Sequence, residues 1–165
     1  MPKISSGDFS LVLDEKSYQQ LMAKLDCLTE VEKQAVITDA LTEGAKLLSE
    51  SGKRQLVATI LHPENSTGRL LKSMDIKVMK AKKNKGPVGY SGFKRSTKNN
   101  KSGGGNAAHL VDRGTVDRYT KKGYYRGKVK GSLFWTSTVQ QEGDRALEKL
   151  MSAIDEAIEK IWNKK

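Results

Sequence analysis

The chain is expected to fold as α+β: a small antiparallel sheet packed by a long central helix and a C-terminal amphipathic helix, with long basic loops. Three observations predict this class. Residues from about 30 to 60 carry apolar residues at helical spacing. Two stretches, Met74 to Val78 and Pro87 to Phe93, alternate like strands. Leu147, Leu150, Met151, Ile154, Ile158, Ile161 and Trp162 fall at steps of three and four, the strongest periodic signal in the sequence. At 165 residues the chain suits one domain with a modest core, spanning residues 1–165.

The elements follow in order. Phe9, Leu11 and Leu13 alternate and predict a short strand with one buried face. Asp14-Glu15 opens a helix whose stripe is Tyr18, Leu21, Met22, Leu25 and Leu28. Thr29-Glu30-Val31-Glu32 has the form of a capping box, in which the hydroxyl of residue 29 and the carboxylate of residue 32 satisfy each other's backbone N–H groups. The helix that follows runs to about Leu56–Ile60. Ile37, Leu41, Ala45 and Leu48 form its main stripe, widened by Ala40 and Leu47. Gly44 and Gly52 each weaken it by roughly 1 kcal/mol relative to alanine. Gly44 either admits a close neighbour or is a plain surface glycine.

His62-Pro63-Glu64-Asn65 breaks that helix. Ser66-Thr67-Gly68-Arg69-Leu70-Leu71-Lys72-Ser73 then reads as a turn launching a short helix, with Ser66 or Thr67 as cap and Gly68 in the turn. Met74, Ile76 and Val78 share one face of a strand. Lys80, Lys82, Lys83 and Lys85 suit a hairpin loop, and Val88, Tyr90 and the position of Gly92 set the face of a return strand. Lys94 to Asn106 is low in complexity and is expected to be a flexible loop that cannot bury enough surface to offset its ordering entropy. Ala107 to Val111 is a helical turn or a strand, ended by Asp112-Arg113-Gly114-Thr115. Residues 116–131 are basic, tyrosine-rich and irregular. Leu133-Phe134-Trp135 is an apolar anchor, and Thr138, with Gln141 three residues on, caps the last helix. Glu142 and Asp144 near its start and Lys164-Lys165 at its end oppose the helix dipole.

The net charge of +11 is unevenly placed. Residues 69–130 hold 18 Lys and Arg against Asp75, Asp112 and Asp117, a balance of +15, while the remainder carries −4. The basic loop residues are Lys80, Lys82, Lys83, Lys85, Lys94, Arg95, Lys98, Lys101, Lys121 and Lys122. Such a segment binds nucleic-acid phosphates, docks on an acidic protein surface including that of a neighbouring copy, or is simply solvated. Tyr90, Phe93, Tyr119, Tyr124 and Tyr125 interleave with the cations, either to stack on bases or as strand positions. No zinc-finger spacing, RNA-recognition signature or basic zipper is present.

Catalysis is not indicated. The lone Cys27 lies on a helical pattern and forms no intramolecular disulfide. His62 reads as a loop residue. His109 and Asp112 would share a helix face, but a metal pair needs more ligands, so His109 is expected to be packed or hydrogen-bonded and Asp112-Arg113 to form a local ion pair or turn. No serine or cysteine sits in a nucleophile-elbow context. The expectation is no enzyme activity and no cofactor or metal. No apolar run approaches a membrane span. Met1 to Gly7 lacks the core of a signal peptide, so the product is expected to stay in its cell or enter a particle made there.

The order of these elements resembles the phage morphogenesis family of tail-completion and head–tail joining proteins, over roughly residues 30–162. That family carries a threonine-glycine-x-leucine-x-x-serine step, occupied here by Thr67, Gly68, Leu70 and Ser73, with Arg69 between. Its later glycine-threonine step falls on Gly114 and Thr115, with Asp112 keeping the acidic residue two before the glycine and Arg113 standing where an aromatic is common. Phe134 and Trp135 lie where the family has a proline-phenylalanine-leucine step, with Ser132 in place of the proline. The resemblance implies a structural virion part at the neck or tail junction, made in the bacterial cytoplasm. It implies a ring of copies, commonly six, in contact with neighbouring neck or tail proteins, and basic loops that order on assembly and face the packaged DNA if the ring encircles it. The other reading of the basic middle is a small nucleic-acid-binding protein.

Overall fold

The computed structural model describes residues 9–10, 15–59, 68–79, 87–94 and 105–163, with side chains from residue 19 onward. The elements are β1 (Phe9–Ser10), α1 (Glu15–Leu25), α2 (Glu30–Thr59), α3 (Arg69–Ser73), β2 (Met74–Met79), β3 (Val88–Phe93), α4 (Ala108–Arg113), β4 (Arg118–Tyr119), β5 (Tyr125–Gly127) and α5 (Phe134–Trp162). The fold is α+β: an antiparallel sheet in the order β1-β3-β2 packs on α2, and α2 packs on α5. β4 and β5 make a separate two-stranded hairpin.

α1 carries Leu21 and Leu25 into the core, and Leu28 follows them from the turn after the helix, where its N–H donates to the Leu25 carbonyl at 2.9 Å. The capping box of α2 is formed: the Thr29 N–H donates to Glu32 Oε2 at 2.9 Å, and the Glu32 N–H reaches Thr29 Oγ1 at 3.4 Å. α2 then runs for 30 residues, about 45 Å. It contacts α5 on one side and both long strands on another, so burial spreads around it at Ala40, Leu41, Gly44, Ala45, Leu48, Ser49, Ser51 and Gly52. A one-stripe pattern underestimates this, because a helix packed from two sides needs two apolar faces.

The two glycines inside α2 are places of close approach. A Cβ on Gly44 would lie 3.1 Å from the Ala146 carbonyl oxygen, where α5 crosses. A Cβ on Gly52 would lie 2.6 Å from the Trp135 ring and 2.7 Å from the Met74 methyl. At Gly52 a larger residue would force Trp135 or Met74 to shift, and at Gly44 it would press on the α5 backbone, so the helix-propensity cost of these glycines is set against close packing.

β2 and β3 pair in register from Met74 with Phe93 to Met79 with Val88. This register puts Gly89, Ser91 and Phe93 on the face of Met74, Ile76 and Val78. The face expected from Val88 and Tyr90 is therefore the outer one, opposite Met79 and Lys77. The physical reason is room: buried Gly89 and Ser91 let α2 lie close on the sheet, with Leu41 against residue 89. The Ser91 hydroxyl is buried and has no hydrogen-bond partner among the described residues.

Two apolar clusters result. The first joins Leu21, Leu25, Leu28, Val36, Ala40 and Leu41 to Leu150 and Ile154 of α5. The second joins Leu56, Met74, Phe134 and Trp135, with Leu70, Leu71, Phe93, Val111 and Val139 packed on it. On α5 the predicted stripe holds through Leu150 and Ile154, Ala146 joins it as a fully buried position, and Trp162 is instead 63% exposed. The expected strand at 9–13 is described only at Phe9–Ser10, and the lysine loop at 80–86 and residues 95–104 of the expected loop at 94–106 lie outside the described residues. No described helix is long and apolar enough to cross a membrane.

Candidate functional site: the α4–α5 junction and its basic hairpin

The first motif folds as a turn into a short helix. Gly68 adopts φ +64°, and α3 follows with Arg69 exposed and Leu70 in the second cluster. Ser73 is buried. Its hydroxyl donates to the Leu70 carbonyl at 2.7 Å, and its own carbonyl accepts the Lys94 N–H at 2.7 Å. Thr67 lies outside the described residues.

Ala107 to Val111 resolves as helix, continued to Arg113. Asp112 is buried and does not pair locally, against expectation. Its Oδ1 accepts the N–H groups of Trp135 at 2.8 Å and Thr136 at 3.1 Å, and its Oδ2 accepts the Thr136 hydroxyl at 2.6 Å. These are orphan donors of the first turn of α5. The helix therefore begins at Phe134, four residues before Thr138, and Thr138 lies buried within it, donating to the Phe134 carbonyl at 2.7 Å. A carboxylate at that end also complements the helix dipole, the role expected of Glu142 and Asp144, which sit two or more turns further in. Leu133, at φ 52°, makes the entry into the helix. His109 and Asp112 lie three apart on α4, with His109 exposed and Asp112 buried.

Gly114 and Thr115 lock the strand that leaves α4 to the one that enters α5. Gly114 has φ +80° and bridges Lys130, and a Cβ there would fall 2.6 Å from both Gly131 N and the Val129 carbonyl. Only glycine fits this combination of angle and backbone contact. The Thr115 N–H donates to the Val129 carbonyl and its hydroxyl accepts the Val129 N–H, each at 2.9 Å. The Ser132 and Leu133 N–H groups reach the carbonyls of Val111 and Asp112 at 2.9 and 2.7 Å. The two motifs thus meet: Leu70, Val111, Phe134 and Trp135 share one cluster, with Phe93 edge-on to Phe134 at 5.8 Å and to Trp135 at 5.3 Å.

From this clamp projects the hairpin of β4 and β5, a regular element where an irregular segment was expected. The Thr120 N–H donates to the Tyr124 carbonyl at 2.8 Å, and Gly123 turns the chain at φ +84°. The Tyr119 and Tyr125 rings lie 5.5 Å apart, and the Tyr125 hydroxyl donates to Asp117 at 3.2 Å. Tyr119, Tyr124 and Tyr125 are 60–69% exposed and Val116 is 82% exposed. Arg118, Lys121, Lys122, Arg126, Lys128 and Lys130 are exposed, and none forms an ion pair with a described residue. Lys121 and Lys122 are interaction residues expected from the sequence, and Tyr119 and Tyr125, expected as stacking or strand positions, lie in β4 and β5; Arg118 and Arg126 are additions, though Lys-Lys-Gly between two tyrosine-bearing runs is a hairpin signal. Lys94 instead pairs with Asp75 at 3.2 Å. Lys80, Lys82, Lys83, Lys85, Arg95, Lys98 and Lys101 lie outside the described residues.

At the other end of α2 an open groove of about 350 Å³ is walled by Val31, Ala35 and Pro87, with Glu30 and Asp39 on its edge. Val31 is 80% exposed. Glu30 pairs with Lys33 at 3.1 Å and, ahead of Asp26, holds that ammonium's pKa above its ordinary value against the opposing effect of burial. Asp39 is exposed and forms no ion pair with a described residue. Among the described residues no group of three or more His, Cys, Asp or Glu side chains is placed to hold a metal. Cys27 is exposed, its thiol directed at the Lys24 carbonyl at 3.2 Å. Comparison of the chain with protein-family models, with curated proteins and with solved structures finds no match.

Proposed function

We propose that this chain is a structural subunit of a tailed-phage or prophage virion, a tail-completion or head–tail joining component that works by assembling into a ring and not by turning over a substrate. One observation carries the reading. The residues that resemble the family's second motif form a single device, in which Asp112, Gly114 and Thr115 clamp the base of an exposed, basic, tyrosine-bearing hairpin to the start of α5. Tyrosine and arginine are the residues that carry binding energy at protein interfaces. A rigid body that holds such a hairpin away from its core is built to meet a neighbour. In this reading the partners are other copies, six being usual in the family, and the adjoining neck or tail proteins, at the neck or tail junction of the virion.

Light scattering and negative-stain imaging of the purified protein test it. Closed rings, alone or on a portal-adaptor or tail protein, are expected. A monomer at every concentration that also binds no neck or tail protein overturns it.

A second reading, a nucleic-acid-binding protein, is favoured by the same hairpin, since six exposed cations with no ion-pair partner among the described residues, beside a tyrosine pair, can follow a phosphate backbone and stack on bases. It predicts DNA affinity that falls steeply with salt, with a log–log slope of up to about −5 if all six cations meet phosphates.

A further inference from the structure

The hairpin and the α2 groove carry opposite charge, and the hairpin's base and the groove lie at different points along α2. The hairpin springs from the α4–α5 junction, where Trp135 sits on Gly52. The groove centres near Ala35. Seventeen helical residues separate Ala35 from Gly52, about 25 Å along α2. Val31 and Tyr124 are 80% and 69% exposed, so neither side chain is covered by the other surface within one chain. Residues 115–131 carry Arg118, Lys121, Lys122, Arg126, Lys128 and Lys130 against Asp117. Residues 26–43 carry Asp26, Glu30, Glu32, Asp39 and Glu43 against Lys33. Each surface also has an exposed apolar component, Val116 and the tyrosines on one and Val31 with Pro87 on the other.

We infer that the β4–β5 hairpin of one copy docks in the groove beside Asp39 on α2 of a second copy. This rests on the assembly reading above and names the surfaces it uses. Opposite charges steer the encounter and fix the register, while the tyrosines and the Val31–Pro87 wall supply the apolar burial. Two different surfaces make a heterologous, head-to-tail contact. Repeated around an axis, such a contact closes a ring.

Charge reversal in the full-length chain tests the docking. Lys121→Glu with Lys122→Glu reverses the hairpin tip, and Asp39→Lys with Gln34→Lys, at a second residue lining the groove, reverses the charge of the groove edge. All four side chains are exposed, and unchanged melting curves establish that each variant folds. Sedimentation velocity is expected to show each pair weakening self-association at least about tenfold, and the combined four-residue variant recovering it to within about threefold of the parent. If the parent forms rings and neither pair alters them, the docking is wrong and the assembly reading stands. A reciprocal dimer that both pairs dissociate and the combination restores keeps the docking and overturns the ring. If the hairpin pair loses only binding to duplex DNA, or the groove pair alone has no effect, a nucleic acid on the hairpin or the chain's own residues 80–86 over the groove replaces a second copy as the occupant.

Discussion

Asp112 and Trp135, 23 positions apart, are joined by a hydrogen bond of 2.8 Å from the Trp135 N–H to the Asp112 carboxylate. With the bonds to Thr136 it fixes where α5 starts, seats Phe134 and Trp135 in the second cluster, and sets the base from which the hairpin projects. One side chain thereby couples core packing to the presentation of a surface.

Asp112→Ala leaves N–H groups of Trp135 and Thr136 without their acceptor in a buried setting. We expect a loss of about 3 kcal/mol, because charge-assisted bonds and orphaned donors both count. Asp112→Asn keeps one accepting oxygen and should cost about 1 kcal/mol. Urea denaturation of both variants checks the order; equal midpoints for parent and Asp112→Ala would remove the carboxylate from its role as cap.

Gly114→Ala places a Cβ at φ +80° and ψ −170°, a region open almost only to glycine, against the backbone of Val129 and Gly131. A loss of about 3 kcal/mol is expected. Amide exchange should quicken at Thr115 and Val129 before it does in α2. Retained protection at those two amides would show that the clamp tolerates a side chain.

Ser91→Ala removes a buried hydroxyl with no partner among the described residues, on the sheet face beneath α2. The substitution is expected to stabilise the protein by about 1 kcal/mol. Thermal unfolding reads this directly, and a fall in melting temperature would mean that the hydroxyl is satisfied.

Tyr124→Ser alters a side chain that is 69% exposed at the hairpin. Stability should stay within about 0.5 kcal/mol of the parent. Self-association measured by light scattering should weaken. A variant that unfolds more easily yet associates normally would reverse the assignment of Tyr124 from contact to fold.

Most of the fold was legible because its signals are local. The Thr29–Glu32 box lies within one helical turn, and the α5 stripe repeats within seven residues, so each is written in adjacent sequence. The alternation of Met74, Ile76 and Val78 likewise places β2 and its face. For β3 the alternation placed the strand but did not say which face packs on α2. Val88 and Tyr90 are the larger residues, but what lies beneath a closely packed helix must be small, and pairing with β2 put Gly89 and Ser91 there. The hairpin at 118–127 was obscured by its many charges, since the core contributes nothing to its pattern.

The sequence by itself determined an α+β chain with two long helices, a β2–β3 hairpin and a strongly basic middle, since helical and strand periodicities and charge are properties of neighbouring residues. Only the tertiary structure decided that Asp112 begins α5, that Gly114 and Thr115 hold the hairpin, and that the hairpin and the Asp39 groove both stay exposed. Those relations depend on backbone donors and acceptors meeting across many intervening residues, and a chain acquires them only when its apolar clusters have closed.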